Sequence, residues 1–294
     1  GMKKDGNSQV LGGPLLVGGD LVYIKDQFNS HLYVGPTRVL GDVLVKDAKM
    51  NKTSYEGDAC VKGTVDAPSI WNNIVQGKNY GNFSGADGNY YSCPNTVPKV
   101  DDYLTIPTVG SHTYDLTLES LVLEDREMTI DVPALPDGSN KKTYDILVKG
   151  DLSFANSTKI VKLYVNLPDA KRLVRFFVNG NINFDNNANY EYVQVKINGV
   201  VVENKDYGGN LLFYSPNNIQ MKGSSDPGSG KIVHNATAFI QGTFITSGTI
   251  FLRTHVDIAG QLIGKKIVFE RDVNGEFHYV PFDPPVIDPK TLAD

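Results

Sequence analysis

From Leu211 to Glu270 the chain is a succession of short apolar runs, mostly three to five residues long, parted by steps that are short and polar or contain glycine. The runs are Leu211-Leu-Phe-Tyr214, Ile219-Gln-Met221, Ile232-Val233, Ala236 to Ile240, Gly242-Thr-Phe-Ile245, Gly248-Thr-Ile-Phe-Leu252, Val256-Asp-Ile258, Gly260-Gln-Leu-Ile263 and Lys266-Ile-Val-Phe-Glu270. Hairpins produce such a rhythm, and so do the corners of a parallel β-helix. In a β-helix the inward side chains stack coil on coil into a continuous apolar column.

A repeated short step favours the second possibility. A Gly-Asp step flanked by β-formers stands at Gly19-Asp20 and again at Gly41-Asp42, 22 residues on. It returns in Lys149-Gly150-Asp151-Leu152, with Asn179-Gly180-Asn181-Ile182 as a close variant. A period near twenty residues is what one coil of a β-solenoid uses. Between these steps lie further strand-like runs, among them Tyr114 to Leu123, Met128 to Val132, Tyr144 to Leu147, Ile160 to Val165, Leu173 to Val178 and Tyr192 to Ile197. Abundant glycine and asparagine supply the positive-φ positions that tight turns need, and Tyr, Val, Ile, Thr and Phe fill pleated surfaces.

Residues 48–110 differ and read as an insertion or cap within one domain spanning 1–294. Asp66 as N-cap, Pro68 in the first turn and Gly77 at the end punctuate a short helix, with Ile70, Trp71, Ile74 and Val75 as its apolar stripe. An irregular loop, 78–92, follows. Pro94, Pro98 and Pro107 then mark an extended connection. The fold expected is therefore all-β, a right-handed parallel β-helix (solenoid) with an inserted loop and short-helix region. A β-sandwich is the alternative.

Charge narrows the partners. Charged residues are 21% of the chain and the net charge is −5, which argues against nucleic acid and against a polybasic membrane patch. No apolar run is long enough to span a bilayer. Gly1 ahead of Met2 reads as a cleavage remnant, and no signal peptide follows it. Composition leans toward an extracellular or cell-surface location.

The stretch from Leu211 to Asp283 resembles the right-handed β-solenoid modules at the C-termini of bacterial surface adhesins and type IV pilus-associated proteins. The residues that carry the resemblance are Phe239-Ile-Gln-Gly-Thr-Phe-Ile245, Gly260-Gln-Leu-Ile-Gly-Lys-Lys-Ile-Val268 and Gly275-Glu-Phe-His-Tyr279. Those modules close on a Phe/Ile-His-Tyr strand followed by Asp, and here Val280 stands in the Asp position. The resemblance implies a surface or appendage role without known catalysis. No cofactor is expected.

Few residues suggest chemistry. Arg253, His255 and Asp257 would share one strand face, the kind of wall on which polysaccharide-cleaving β-helices place their residues. Alternation alone also demands a polar outer set, and that reading is preferred. Asn181, Asn183 and Asp185 share a face as well, offering oxygen to a calcium ion. No D-x-[DN]-x-[DN]-G loop accompanies them, so a polar row or amide ladder is preferred and no metal site is assigned. Gly223 to Lys231 fails the phosphate-loop spacing. The four N-x-S/T sequons, at Asn51, Asn82, Asn156 and Asn235, carry no inference in so Asn-rich a chain.

For binding, the loop 78–92 stands out. Tyr80, Phe83, Tyr90 and Tyr91 sit among Gly, Ser and Asn, a mixture suited to recognition because Tyr offers amphipathic area at low entropy cost. The competing reading, that these rings cap an open solenoid end, is preferred. The two cysteines, Cys60 and Cys93, are either unrelated buried thiols or one disulfide closing the turn-rich segment; the disulfide, worth about 3–4 kcal/mol, is preferred. Together these features point to a non-catalytic cell-surface or appendage module, structural or adhesive, with a glycan or another surface component as partner. The alternative is a carbohydrate-active enzyme, or a carbohydrate-binding protein, on a β-helix.

Overall fold

The computed structural model describes residues 9–12, 15–17, 20–27, 31–34, 37–39, 41–49, 54–55, 59–67, 75, 79–81, 112–124, 126–135, 143–154, 161–185, 191–202, 209–222, 238–253, 256–269 and 276–280. Its strands fall into two runs. The first is β1 (Gln9–Gly12), β2 (Leu15–Val17), β3 (Leu21–Gln27), β4 (His31–Val34), β5 (Thr37–Val39), β6 (Val43–Lys49), β7 (Ser54–Tyr55), β8 (Ala59–Val61) and β9 (Asn79–Gly81). The second opens with β10 (Leu116–Leu118), β11 (Leu121–Leu123), β12 (Glu127–Asp131), β13 (Thr143–Val148), β14 (Leu152–Phe154), β15 (Val161–Leu167), β16 (Leu173–Val178) and β17 (Ile182–Asp185). It continues through β18 (Glu191–Ile197), β19 (Val200–Val201), β20 (Leu211–Ser215), β21 (Ile219–Lys222), β22 (Ala238–Arg253), β23 (Val256–Phe269) and β24 (Glu276–Tyr279). No α-helix occurs among the described residues.

Parallel strands need a crossover between them. Here each crossover is made of further strands, so the chain winds as a three-sided coil. Face 1 stacks β10, β13, β16, β20 and the middle of β22 and β23. Face 2 stacks β11, β14, β17, β21 and the ends of β22 and β23. Face 3 stacks β12, β15, β18, the starts of β22 and β23, and β24. Five successive coils lie between Thr143 and Tyr279, all in parallel register, which excludes the sandwich. Among the described residues the one antiparallel pair is β18 with β19, a hairpin turned at Asn198-Gly199 with φ of 49° and 82°, the asparagine-glycine pair such a turn selects.

The core is a set of inward columns. On face 2 Leu121, Leu152, Ile182, Ile219, Ile250 and Ile267 stack in register and are buried. On face 1 Phe213 lies between Phe176, at 4.6 Å and 10°, and Phe244, at 4.8 Å and 7°. Ile240, Phe244, Leu252, Ile258 and Ile267 are buried as their spacing predicts, and Leu262 is half-buried against the same core. Where the chain passes from face 3 to face 1 without a turn, it bends at Gly242 (φ 145°) and Gly260 (φ 157°). A Cβ on Gly260 would meet the Gly242 carbonyl.

The Gly-Asp steps are the corners between faces 1 and 2. Asp20 Oδ1 accepts the amide of Asp42 at 3.0 Å, and Asp42 Oδ1 accepts that of Thr64 at 2.7 Å. In the second run Asp151 Oδ1 accepts the Asn181 amide at 2.7 Å, and Asn218 Oδ1 accepts that of Thr249 at 3.0 Å. Each side chain thus satisfies a backbone donor of the next coil at the point where the ladder turns.

The order of coils in space is not the order in sequence. β2 pairs with β23 (Leu16 with Ile263), β3 pairs with β23 (Leu21 with Ile267), and β1 pairs with β24 (Leu11 with Phe277). The first run therefore stacks on the last coil of the second and continues the same three faces outward. Faces 1 and 2 pass directly from β23 to β2 and β3. Face 3 passes from β24 to β4 through β1, one strand more.

Within 48–110, β7, β8 and β9 and a parallel bridge from Val65 to Val43 belong to this stack. Asp66 does not act as expected of a helix N-cap. Its carboxylate accepts the Val45 amide of the neighbouring coil at 2.8 and 3.0 Å, and Val75 is itself a β-bridge residue. The rest of the expected helix, 68–74, lies outside the described residues, as does 82–110.

Candidate functional site

The three faces differ in what their outer sides meet. In β14, β17 and β21 an outward polar residue stands between inward apolar ones: Leu152-Ser153-Phe154, Ile182-Asn183-Phe184 and Ile219-Gln220-Met221. Ser153, Asn183 and Gln220 are consecutive rungs of one outward row. Rungs of a parallel sheet lie roughly 4.8 Å apart, so the row is regularly spaced. Phe251 continues it in the next rung. All four side chains are half-buried, and the three polar ones form no hydrogen bond with other described residues.

Face 1 is closed instead. Leu147, Phe177, Leu212, Ile245 and Ile263 point away from the core column yet are buried, as strands of a parallel sheet covered on both sides are. Near its first coils this outer side holds a charged cluster. The fully buried Asp145 carboxylate takes two bonds from Arg175, Nε to Oδ1 and Nη2 to Oδ2, both at 2.7 Å. His112 Nε2 lies 2.8 Å from the same Oδ2. The Asp145 amide donates to Asp115 Oδ2 at 2.8 Å, and Asp115 donates its own amide back to the Asp145 carbonyl.

Aromatic rings wall this cluster. Tyr114 and Phe177 are 5.5 Å apart edge to face, and His112 lies 5.0 Å from Tyr114 and 5.6 Å from Phe177. Burial raises the Tyr114 hydroxyl above the ordinary phenol range, Asp145 adds to the rise, and Arg175 opposes it. Chemically the arrangement is a clamp. Both Asp145 oxygens are occupied by cationic or ring nitrogen donors, so the carboxylate is spent on structure. Sequence reading missed it because His112, Asp145 and Arg175 are brought together only by the 30-residue coil period across which Asp145 faces Arg175.

The expected sites are distributed differently. Tyr80 lies in β9, the outermost described rung of face 1, in register with Cys60. Phe83, Tyr90 and Tyr91 lie outside the described residues, as does His255. Arg253 ends β22 and Asp257 lies in β23, so their backbones belong to successive sides of one coil. Asn181 is a corner residue and Asn183 belongs to the open row on face 2, so these two serve different structural ends. No group of His, Cys, Asp or Glu able to hold a metal is found among the described residues. Cys60 is buried and disulfide-bonded.

No family model matches this sequence, and no curated protein matches it. Among solved structures the chain is similar to an ice binding protein from an Antarctic bacterium, Flavobacteriaceae, at 11% identity and a TM-score of 0.26, over 91% of this chain and 78% of that one. No helix among the described residues is long and apolar enough to cross a membrane.

Proposed function

We propose that the protein is a non-catalytic binding module of the cell surface or its appendages, adhesive in role, that holds a neutral glycan. The observation that carries this reading is the open row Ser153–Asn183–Gln220 on face 2, continued by Phe251. Among the described residues its three polar side chains have no hydrogen-bond partner. They repeat at the rung spacing, and the row itself bears no charge. Amides and a hydroxyl beside an aromatic ring suit sugar hydroxyls and the apolar face of a pyranose. The Tyr-rich loop 78–92, beginning at the outermost rung of face 1, supplies a second contact through Tyr80, Phe83, Tyr90 and Tyr91.

Glycan cleavage needs a positioned acid and base near one bond. The carboxylate most deeply buried among the described residues, Asp145, is clamped by Arg175 and His112. A disulfide on Cys60 supports an oxidising, extracytoplasmic location.

The test is a pair of assays on the full chain with a panel of insoluble and soluble neutral glycans. Incubation is expected to release no reducing ends or unsaturated products. Retention on at least one glycan is expected to fall when Asn183 and Gln220 are changed together to Ala, and separately when Tyr80, Tyr90 and Tyr91 are. Cleavage abolished by altering His255 or Asp257 would instead establish the enzyme. Absence of retention on every glycan would sink the binding reading.

A further inference from the structure

The stack contains one interface that the chain does not cross. Every other pair of neighbouring coils is joined by the residues that follow directly in sequence. Between the coil of β23 and β24 and the coil of β2, β3 and β4 there is no such link, because residues 9–81 stack back onto 256–279 from the far end of the sequence. Three observations make this seam weaker than its neighbours.

The ladder across it is short. β1 with β24 and β2 with β23 share two register pairs each, and β3 with β23 shares three. By contrast β22 and β23 run in register from Ala238 with Val256 to Leu252 with Phe269. Asp20 follows Lys266 in the stack, and a lysine amine has no oxygen with which to accept the next coil's amide as Asp42, Asp151 and Asn218 do, an acceptor bond that the neighbouring Thr249–Lys266 corner also lacks. The corner bond from Ile267 N to the Asp20 carbonyl is 3.4 Å, against 2.8 Å for both Leu21 N to Asp42 and Val43 N to Thr64. Finally, the rung count changes here: β1 is the extra strand on face 3, between β24 and β4.

We propose that this seam is an exchange interface. Residues 9–81 leave it as one unit, and the uncovered edges of β23 and β24 accept the same unit from a second copy of the chain. An opened parallel edge presents a full row of backbone donors and acceptors to the next strand that fits it. The segment that fits best is the one already seated there, so the exchanged contact reproduces the internal one at no cost in complementarity. The apolar partners are self-matching in the same way: Leu21 and Val22 cover Ile267 and Val268, and all four are buried. Residues 82–111 connect the two parts of the chain, and 30 residues reach up to about 100 Å when extended. The strands at the two ends of this connection, β9 and β10, stand about 43 Å apart, nine rung spacings along face 1. The seam is independent of what the open row on face 2 binds.

Leu16 and Ile263 are register partners across the seam, which makes the exchange measurable by cross-linking the full chain. One preparation carries Leu16→Cys and the other Ile263→Cys. After mixing at high concentration in mild denaturant and returning to buffer, oxidation is expected to give mixed covalent dimers. These should exceed like-with-like dimers several-fold and increase with concentration, while the double variant closes internally. Internal closure of the double variant without any mixed dimer would overturn the proposal, and so would failure of the double variant to close at all. Hydrogen exchange on the unaltered chain gives a second readout that needs no variant. Amides of β2 to β6 are expected to exchange together, roughly tenfold or more faster than those of β15 to β18. Protection that runs without a step from β23 into β3 would refute the seam.

Discussion

Thr64 is tied to Asp42 twice: Asp42 Oδ1 accepts its backbone amide at 2.7 Å and its hydroxyl at 3.0 Å. Asp42 itself donates its amide to Asp20 Oδ1 one coil earlier. The two bonds terminate a ladder at a corner where the next backbone amide would otherwise face no partner. Asp42→Ala is expected to cost about 1–2 kcal/mol, in the range of a lost helix cap or a hydrogen bond to a charged group. Asp42→Asn keeps the acceptor oxygen and should recover most of that loss. Urea unfolding midpoints of the two variants decide it, and equal midpoints would mean the corner bond is unimportant.

Phe176, Phe213 and Phe244 form a continuous ring stack across three coils of face 1, and Phe213 stands in its middle. Phe213→Ala is expected to destabilise by about 3–5 kcal/mol, because both stacked neighbours are fixed by their own coils and cannot close the gap. Gly242 is part of the same contact. It has φ 145°, and a Cβ there would lie 2.9 Å from Phe213 Cε2. Gly242→Ala should therefore also destabilise, by about 1–3 kcal/mol. In the Phe213→Leu background, where the ring is gone, the penalty should shrink. Chemical denaturation of the single and double variants measures that difference, and an unchanged penalty would place the strain in the backbone alone.

Arg175 neutralises a carboxylate that is entirely out of water. Removing it alone, as in Arg175→Ala, leaves Asp145 buried with His112 as its one remaining side-chain partner among the described residues and is expected to cost about 3–5 kcal/mol. Replacing both, with Asp145→Leu and Arg175→Met, removes the buried charge together with its partner and should cost far less. A double variant as unstable as Arg175→Ala would show that the pair contributes more than mutual neutralisation.

Much of this architecture is legible in the sequence, and the legible parts share a local cause. Alternation in Leu152-Ser-Phe154, Ile182-Asn-Phe184 and Ile219-Gln-Met221 marks strands with one wet side. The unbroken runs Ile146-Leu-Val148 and Leu211-Leu-Phe213 mark strands covered on both. The Gly-Asp steps mark corners because only a short acceptor side chain reaches the next coil's amide. The same chemistry misleads at Asp66. A carboxylate that caps a backbone amide looks alike in sequence whether the amide belongs to a helix or, as here, to Val45 of the neighbouring coil. The seam is not legible at all. Both runs of strands carry the same corner signal, and nothing local says that Leu21 stacks on Ile267 rather than beginning a separate stack. The Asp145 clamp is hidden for a related reason, since its partners meet only through the coil period.

Cys60 lies in β8 on the outer side of face 1, buried and disulfide-bonded, and the chain has one other cysteine, Cys93. We therefore expect a Cys60–Cys93 disulfide in the oxidised protein. It would tie the Tyr-rich loop to the outermost rungs of face 1 and limit the freedom of Tyr80, Tyr90 and Tyr91 before they meet a ligand. Thiol titration of the unreduced, denatured chain should find no free sulfhydryl. Cys93→Ser should expose one, at Cys60, and lower stability by about 3–4 kcal/mol. Retention on any glycan that depends on the three tyrosines should weaken in the same variant, because an untethered loop pays more ordering entropy on binding. Two reactive thiols in protein prepared under oxidising conditions would refute the pairing. A Cys93→Ser variant that binds as tightly as the unaltered chain would separate the disulfide from recognition and leave it a purely structural staple.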